Sequence, residues 1–142
     1  MTSKVIYTAQ ARATGGGRDG TSATLDGALA VTLAPPKEMG GSGLGNNPEQ
    51  LVAVGYAACY LGAMRFAASS ESLGTVPAEA TVTSSVGIGP REEGGFGLTI
   101  SLQVSMPGVD RTVAEKIMER GHFICPISHA FKGSLEIVTT LV

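Results

Sequence analysis

The sequence predicts an α+β fold in which mostly antiparallel strands accompany one buried central helix. Three observations lead to this prediction. Short β-rich runs are separated by glycine-rich or Asp-Gly turns, early in the chain and again after its middle. Residues 51–64 are apolar on every helical face, which is typical of a helix inside a core. The 142 residues match the usual size of one domain, so we expect a single domain over residues 1–142.

The first strands are predicted in the first quarter of the chain. Residues 4–9 (KVIYTA) have the β-branched and aromatic content of a strand, and the glycine-rich turn TGGGRDG follows them. Two further strand-like runs, TSATL and ALAVTL, flank Asp26 and Gly27. An Asp-Gly pair in this position predicts a hairpin, because glycine adopts a positive φ at little cost.

The central helix has a clear predicted start. Asn47 can cap it, Pro48 suits the first helical position, and Glu49 favours the positive end of the helix dipole. We expect the helix to fray after about Ser69. Its apolar part is shorter than the roughly 18–20 residues of a membrane span, so we expect no membrane segment.

After the central helix, the sequence predicts two strands at residues 78–89 and 96–106, joined by a polar turn. Alternate apolar residues of the second strand would share one face of the sheet. These residues are Leu98, Ile100, Leu102, Val104 and Met106.

The last third of the chain predicts two helices and a strand. Asp110 can cap an amphipathic helix, and Gly121 can terminate it. A shorter helix is expected from Pro126 to Gly133, and residues 134–142 would close the chain as a strand.

Composition excludes several classes of function. Charged residues make up only 15% of the chain and the net charge is −2, without a basic stripe, so we expect no nucleic-acid partner. The N-terminal segment lacks the features of a signal peptide, and we expect a cytoplasmic protein. With 43% hydrophobic residues, much of the surface can be buried against a partner, and a homodimer is the simplest expectation.

The two cysteines, Cys59 and Cys125, are the leading candidates for chemistry, because a lone cysteine pair in the cytosol is more often catalytic or redox-sensing than structural. Burial in an apolar helix raises the pKa of a thiol, so a reactive Cys59 needs a cation from another segment. Cys125 precedes Pro126 at a predicted helix start, where the dipole favours a thiolate. The residues alone therefore favour Cys125 as the more acidic thiol, and they leave open that both cysteines only fill the core.

Other candidate sites are weaker. The turn TGGGRDG lacks the Lys-Ser/Thr ending of a phosphate loop, but it carries Arg18, a loop-borne cation of the kind that Cys59 needs. His122 and His129 flank Cys125, but no CxxC or HxxxH spacing accompanies them, so we expect no metal site.

Four runs, GGGRDG, DGALAVTLAPPKEMGG, NNPEQLVAVGYAACY and CPISHAFKG, resemble in order and spacing the organic hydroperoxide resistance (Ohr) branch of the OsmC/Ohr family. The resemblance extends over nearly the whole chain. It implies an OsmC/Ohr-like fold, with antiparallel sheets wrapped around a central buried helix, and an intertwined homodimer with active sites at its interface. It also implies a thiol peroxidase that reduces alkyl and fatty-acid hydroperoxides to alcohols. No bound cofactor is implied, and the reductant would be dihydrolipoamide or a lipoylated protein.

The resemblance also implies roles for four residues. Cys59 matches the peroxidatic cysteine, which forms a sulfenic acid, and Cys125 matches the resolving cysteine, which forms a disulfide with it. Arg18 matches the arginine that holds the thiolate, and Glu49 matches the carboxylate that orients this arginine. Glu49 and Cys59 are ten residues apart, about 15 Å along a straight helix. We therefore expect a break or a bend in the chain between them, with Gly55 the likely place, so that one arginine can contact both.

The chain departs from the family pattern after its second cysteine, where CPISHAFKG replaces a segment closer to CPYSNATRG. Four residues differ, and they concern the pocket lining and the docking of the reductant: Ile127, His129, Phe131 and Lys132. Two alternatives stay open. One is a non-enzymatic redox sensor or binder of apolar ligands, and the other is a general thiol–disulfide oxidoreductase, which the absence of CxxC disfavours.

Overall fold

Six β-strands, three α-helices and one short 3₁₀ helix (Lys37–Met39) make up the regular structure of residues 4–142, the part of the chain that the computed structural model describes. The α+β class predicted from the sequence is confirmed. The chain divides into two compact units, Met1–Leu51 and Val52–Val142. A single domain over residues 1–142 stays a prediction.

The first unit contains a three-stranded antiparallel sheet. Its strands β1 (Ala11–Thr14), β2 (Thr21–Thr24) and β3 (Ala30–Thr32) pair in chain order. The glycine-rich run connects β1 to β2, and Asp26 and Gly27 lie in the turn between β2 and β3. Gly27 has a φ of +76°, the conformation for which an Asp-Gly turn is suited. Both predicted turns are therefore confirmed.

The strand predicted at residues 4–9 is wrong, because this segment has no regular structure and β1 begins only at Ala11. Its large side chains are left exposed: 67% for Val5, 91% for Ile6 and 79% for Tyr7. A β-forming, apolar segment with this exposure indicates a surface suited to a partner.

The central helix, α1 (Pro48–Ser70), begins after Asn47, which caps it as predicted and forms a capping box with Gln50. Asn47 Oδ1 accepts the N–H of Gln50 at 2.9 Å, and Gln50 Oε1 accepts the N–H of Asn47 at 3.1 Å. The helix then continues through Gly55, so a break there is wrong, whereas a bend stays a prediction. A glycine costs a helix interior only about 1 kcal/mol relative to alanine, and the neighbouring turns sustain the helix across it.

The helix α1 has 23 residues and ends at Ser70, close to the predicted fraying point, and by length and composition it could cross a membrane. One face is nevertheless core, because the side chains of Tyr56, Tyr60 and Met64 are fully buried. The opposite face is open, with Val54 71% and Phe66 62% exposed. We interpret α1 as a core helix with one unpartnered apolar face.

The sheet of the second unit is mixed. The strands β4 (Thr81–Pro90) and β5 (Phe96–Ser105) form an antiparallel hairpin, and β6 (Ile137–Leu141) pairs with β5 in parallel. This parallel pair is possible because the chain reaches β6 through two helices, as a parallel crossover requires. The predicted alternation along β5 is confirmed by its buried residues: Ile100, Leu102 and Val104.

Those two helices are α2 (Arg111–Ile124) and α3 (Pro126–Phe131). Asp110 caps α2 as predicted, since its Oδ1 accepts the N–H of Thr112 at 3.0 Å. The termination predicted at Gly121 is wrong, because α2 continues to Ile124.

Gly121 is needed for packing instead. It is buried in the helix interior, where α2 crosses α1. A Cβ atom at this position would lie 2.6 Å from Met64 Cγ and 3.1 Å from Tyr60 Cε2. A glycine that sequence patterns associate with a helix end therefore serves here as a contact point between two helices.

The change Gly121→Val is expected to destabilise the fold by about 2 kcal/mol, because its side chain overpacks the contact with Met64. The midpoint of urea unfolding measures this change. Lys116→Val places the same side chain on the exposed face of α2 and should stay within about 0.5 kcal/mol of wild type. Equal unfolding midpoints for Gly121→Val and wild type would contradict the packing argument.

Candidate active site

Two thiols lie together in the Val52–Val142 unit. α1 carries Cys59, and Cys125 is the single residue between α2 and α3. The thiol of Cys125 donates to the sulfur of Cys59 over 3.5 Å, and both thiols are free. A disulfide bond is about 2.05 Å long, so oxidation of the pair requires an approach of roughly 1.5 Å.

The two thiols differ in accessibility. Cys125 is fully buried, whereas Cys59 is partly exposed. A molecule arriving from solvent therefore meets the sulfur of Cys59 first. This asymmetry favours Cys59 as the thiol that reacts with a substrate.

Burial raises the pKa of the Cys59 thiol, and the neighbouring thiol of Cys125 raises it further. The backbone N–H of Ile127 acts in the opposite direction, because it donates to the sulfur of Cys59. Ile127 lies in the first turn of α3, and Cys125 makes no side-chain capping bond there. The net effect on Cys59 is still a raised pKa.

A second pair, Arg18 and Glu49, forms in the Met1–Leu51 unit. The guanidinium of Arg18 donates to both carboxylate oxygens of Glu49, at 2.8 and 3.1 Å. These hydrogen bonds lower the pKa of Glu49, so this side chain is charged at neutral pH. The Arg18 side chain is still 43% exposed, which leaves part of the guanidinium free to bind another group.

The structure thus joins the four predicted site residues as two pairs, Cys59 with Cys125 and Arg18 with Glu49. On the continuous helix α1, Glu49 and Cys59 are ten residues apart, about 15 Å along the axis. The predicted contact of one arginine with Glu49 and Cys59 of the same chain depended on a break or a bend at Gly55, and the chain has no break there.

Sequence reasoning missed a group of hydrogen-bonded side chains near the thiols. The hydroxyl groups of Tyr56 and Ser128 lie 2.7 Å apart, and His122 Nδ1 lies 2.9 Å from Ser128 Oγ. The spacing in the sequence could have identified Tyr56, because this residue lies three positions before Cys59 on α1 and shares its side of the helix. His122 bonds to the hydroxyl groups of Ser128 and Thr139 and not to a cysteine. Among residues 4–142, no three histidine, cysteine or acidic side chains cluster so as to hold a metal ion.

Comparisons with known proteins place this chain in a family. The family described as OsmC-like protein matches residues 40–140. The organic hydroperoxide resistance protein of Xanthomonas axonopodis pv. citri is 45% identical over 139 residues, which is 97% of this chain and 96% of that protein.

Two solved structures are similar over nearly their whole length. An organic hydroperoxide resistance protein from Legionella pneumophila has a TM-score of 0.91 at 37% identity, covering 97% of this chain and 98% of its own. One from Elizabethkingia anophelis has a TM-score of 0.89 at 40% identity, covering 97% of both chains. The chain therefore belongs to the OsmC-like protein family and, within it, to the organic hydroperoxide resistance (Ohr) branch.

Proposed function

We propose that this protein is a thiol peroxidase that reduces organic hydroperoxides to alcohols and so contributes to organic peroxide resistance. The observation that carries the proposal is the contact between Cys59 and Cys125, a partly exposed and a buried free thiol 3.5 Å apart. The names of relatives at 45% identity support organic hydroperoxides as the substrate class.

The first step takes place at Cys59. Its thiolate attacks the distal peroxide oxygen, the O–O bond breaks, and sulfur is oxidised by two electrons to a sulfenic acid. The alkoxide that leaves takes up one proton and becomes the alcohol. The apolar surroundings of Cys59 favour alkyl and fatty-acid hydroperoxides over small polar ones.

The second step uses Cys125. Its sulfur attacks the sulfenic sulfur of Cys59, the thiol proton joins the leaving hydroxide as water, and a disulfide forms. A dithiol then reduces this disulfide by two successive exchanges and is itself oxidised to a disulfide. We propose a dihydrolipoyl group, free or on a lipoylated protein, as that dithiol, and the cytoplasm as the compartment that supplies it.

The site also requires a cation, because burial alone leaves the pKa of Cys59 raised. We propose a homodimer in which Arg18 of one copy, oriented by its own Glu49, meets the thiolate of Cys59 in the other copy. Three observations support this arrangement: the separation of Glu49 from Cys59 along α1, the partly free guanidinium of Arg18, and the exposed apolar face of α1.

An assay of peroxide loss tests the function. Reduced protein, cumene hydroperoxide and dihydrolipoamide are mixed, and we expect many equivalents of peroxide to be consumed per protein chain. Consumption of a single equivalent would indicate a redox sensor, and no consumption would indicate a binder of apolar ligands. Either of these results overturns the proposed peroxidase activity.

A further inference from the structure

Ser128 is a polar residue inside an apolar core. Apart from tyrosine and cysteine, it is the one polar side chain that the core buries among residues 4–142, with 7% of the residue exposed. Its hydroxyl lies 2.7 Å from the hydroxyl of Tyr56 and 2.9 Å from His122 Nδ1. Such bonds add little net stability, because they largely replace bonds to water. The importance of Ser128 therefore lies in what its two bonds hold in place.

The two bonds of Ser128 surround the cysteine pair. Cys125 is the single residue between α2 and α3, with His122 three positions before it and Ser128 three positions after it. The bond between His122 and Ser128 therefore joins the two helices across Cys125. On α1, Tyr56 lies three positions before Cys59. The bond from Tyr56 to Ser128 thus ties α3 to the turn of α1 that carries Cys59.

Both partners of Ser128 are themselves fixed by their surroundings. Tyr56 is fully buried on α1. His122 is half-buried, its ring stacks on that of Tyr60 at 4.4 Å, and its Nε2 lies 2.7 Å from Thr139 Oγ1 on β6. Two side chains that are held in this way from other elements give Ser128, and with it α3, a defined position.

Closure of the disulfide is the step that depends on this position. The two sulfurs are 3.5 Å apart, and a disulfide bond of about 2.05 Å requires an approach of roughly 1.5 Å. Cys59 lies within a continuous helix, whereas the backbone of Cys125 is extended, so the approach is easier for Cys125. A misplacement of about 1 Å between reacting groups can cost about a hundredfold in rate.

We propose that Ser128 is a positioning residue for closure of the disulfide between Cys59 and Cys125. Its hydroxyl holds α3 against α1 and α2, and so keeps the two sulfurs in contact. This inference rests on the proposed function, whose catalytic cycle includes the closure step. Loss of the hydroxyl lowers the effective concentration of Cys125 at Cys59, and it leaves the first reaction of Cys59 unchanged.

Reaction with DTNB, an aromatic disulfide, tests this role without any peroxide. The thiolate of Cys59 attacks one sulfur of the reagent, a mixed disulfide forms, and one coloured thiolate leaves. The thiolate of Cys125 then attacks the sulfur of Cys59 and expels the second coloured thiolate. The pair loses two electrons to the reagent, and its thiol protons pass to the buffer. Stopped-flow absorbance separates the phases, because only the first depends on the reagent concentration.

The expected result is a selective slowing of the second phase. Ser128→Ala and Tyr56→Phe should each slow it about tenfold, while the first phase stays within about twofold of wild type. Tyr56→Phe keeps the ring and decides the question if Ser128→Ala does not fold. The matched control is Tyr60→Phe, which removes an equally buried hydroxyl from α1, one that donates to the Met118 carbonyl of α2. It should leave both phases unchanged.

A double variant separates positioning from a general loosening of the fold. If the two residues act through their shared bond, Ser128→Ala combined with Tyr56→Phe should close no more slowly than Ser128→Ala alone. Additive slowing, equal slowing of both phases, equal slowing in Tyr60→Phe, or a wild-type second phase in either single variant would overturn the role of Ser128. So would the absence of a second phase from the wild-type protein. Failure of peroxide turnover in a protein that shows both phases overturns only the peroxidase proposal.

Discussion

The change Cys59→Ser is expected to abolish turnover of organic hydroperoxides, with a loss in kcat/KM of roughly 10³-fold or more, because a serine hydroxyl replaces the nucleophile. The measurement is the initial rate of cumene hydroperoxide loss with dihydrolipoamide in excess. Circular dichroism and the unfolding midpoint should remain close to wild type, since serine is similar in size and Cys59 is partly exposed.

The matched control is Cys125→Ser. It keeps the nucleophile and removes only the buried partner, so we expect consumption of one equivalent of peroxide followed by a stall. Mass spectrometry after dimedone treatment should detect the sulfenic acid at Cys59. If Cys59→Ser keeps full turnover while Cys125→Ser loses the first equivalent, the roles are reversed, as the helix-dipole argument from the sequence suggested.

The second large effect is expected at Arg18. A cation beside a thiolate lowers the pKa of the thiol. The change Arg18→Ala removes the proposed cation, so the pKa of Cys59 should stay raised by burial. The thiolate fraction at pH 7 then falls, and the rate of peroxide reduction should drop by about 10²-fold and recover as the pH rises. The pH dependence of Cys59 alkylation measures this shift directly. Arg18→Lys should recover the rate only in part, because lysine lacks the bidentate fork that binds Glu49.

Co-expression of two inactive chains decides which subunit supplies the arginine. A dimer of Arg18→Ala with Cys59→Ser contains one complete site if Arg18 acts across the interface. Random pairing should then restore about a quarter of the wild-type activity. No restored activity would place Arg18 and Cys59 of the same chain in one site and contradict the proposed interface.

Local chemistry predicted much of the fold. The Asp26-Gly27 turn, the Asn47 cap and the Asp110 cap depend on side chains within a few residues of each other, and all three were predicted correctly. Gly121 could not be understood from its neighbours. Its role depends on Met64, which lies far away in sequence, and local propensity contains no information about such a contact.

The candidate site, like the fold, could be predicted only in part. The family resemblance gave four candidate residues, but it did not predict how the chain holds them. The predicted break at Gly55 followed from assuming that one chain completes the site, whereas α1 continues through this glycine. The donation from Ile127 to Cys59 depends on how α3 meets α1, and no periodicity in either segment indicates it.

The sequence separation of the two thiols has a thermodynamic consequence. Cys59 and Cys125 are 66 positions apart, yet the fold holds their sulfurs in contact. Closing a loop of that length in the unfolded chain removes entropy, and the disulfide form should gain about 4 kcal/mol in folding free energy over the reduced form in the chain-entropy account.

Folding and disulfide formation are linked equilibria, so the same free energy enters both. If the disulfide stabilises the folded chain, the folded chain stabilises the disulfide equally, and reduction must overcome this contribution in every catalytic cycle. The oxidised protein is then the more heat-resistant and protease-resistant form, and the reduced protein is the form in which local opening is easiest. Peroxide exposure would in this way lengthen the lifetime of the molecule that removes it.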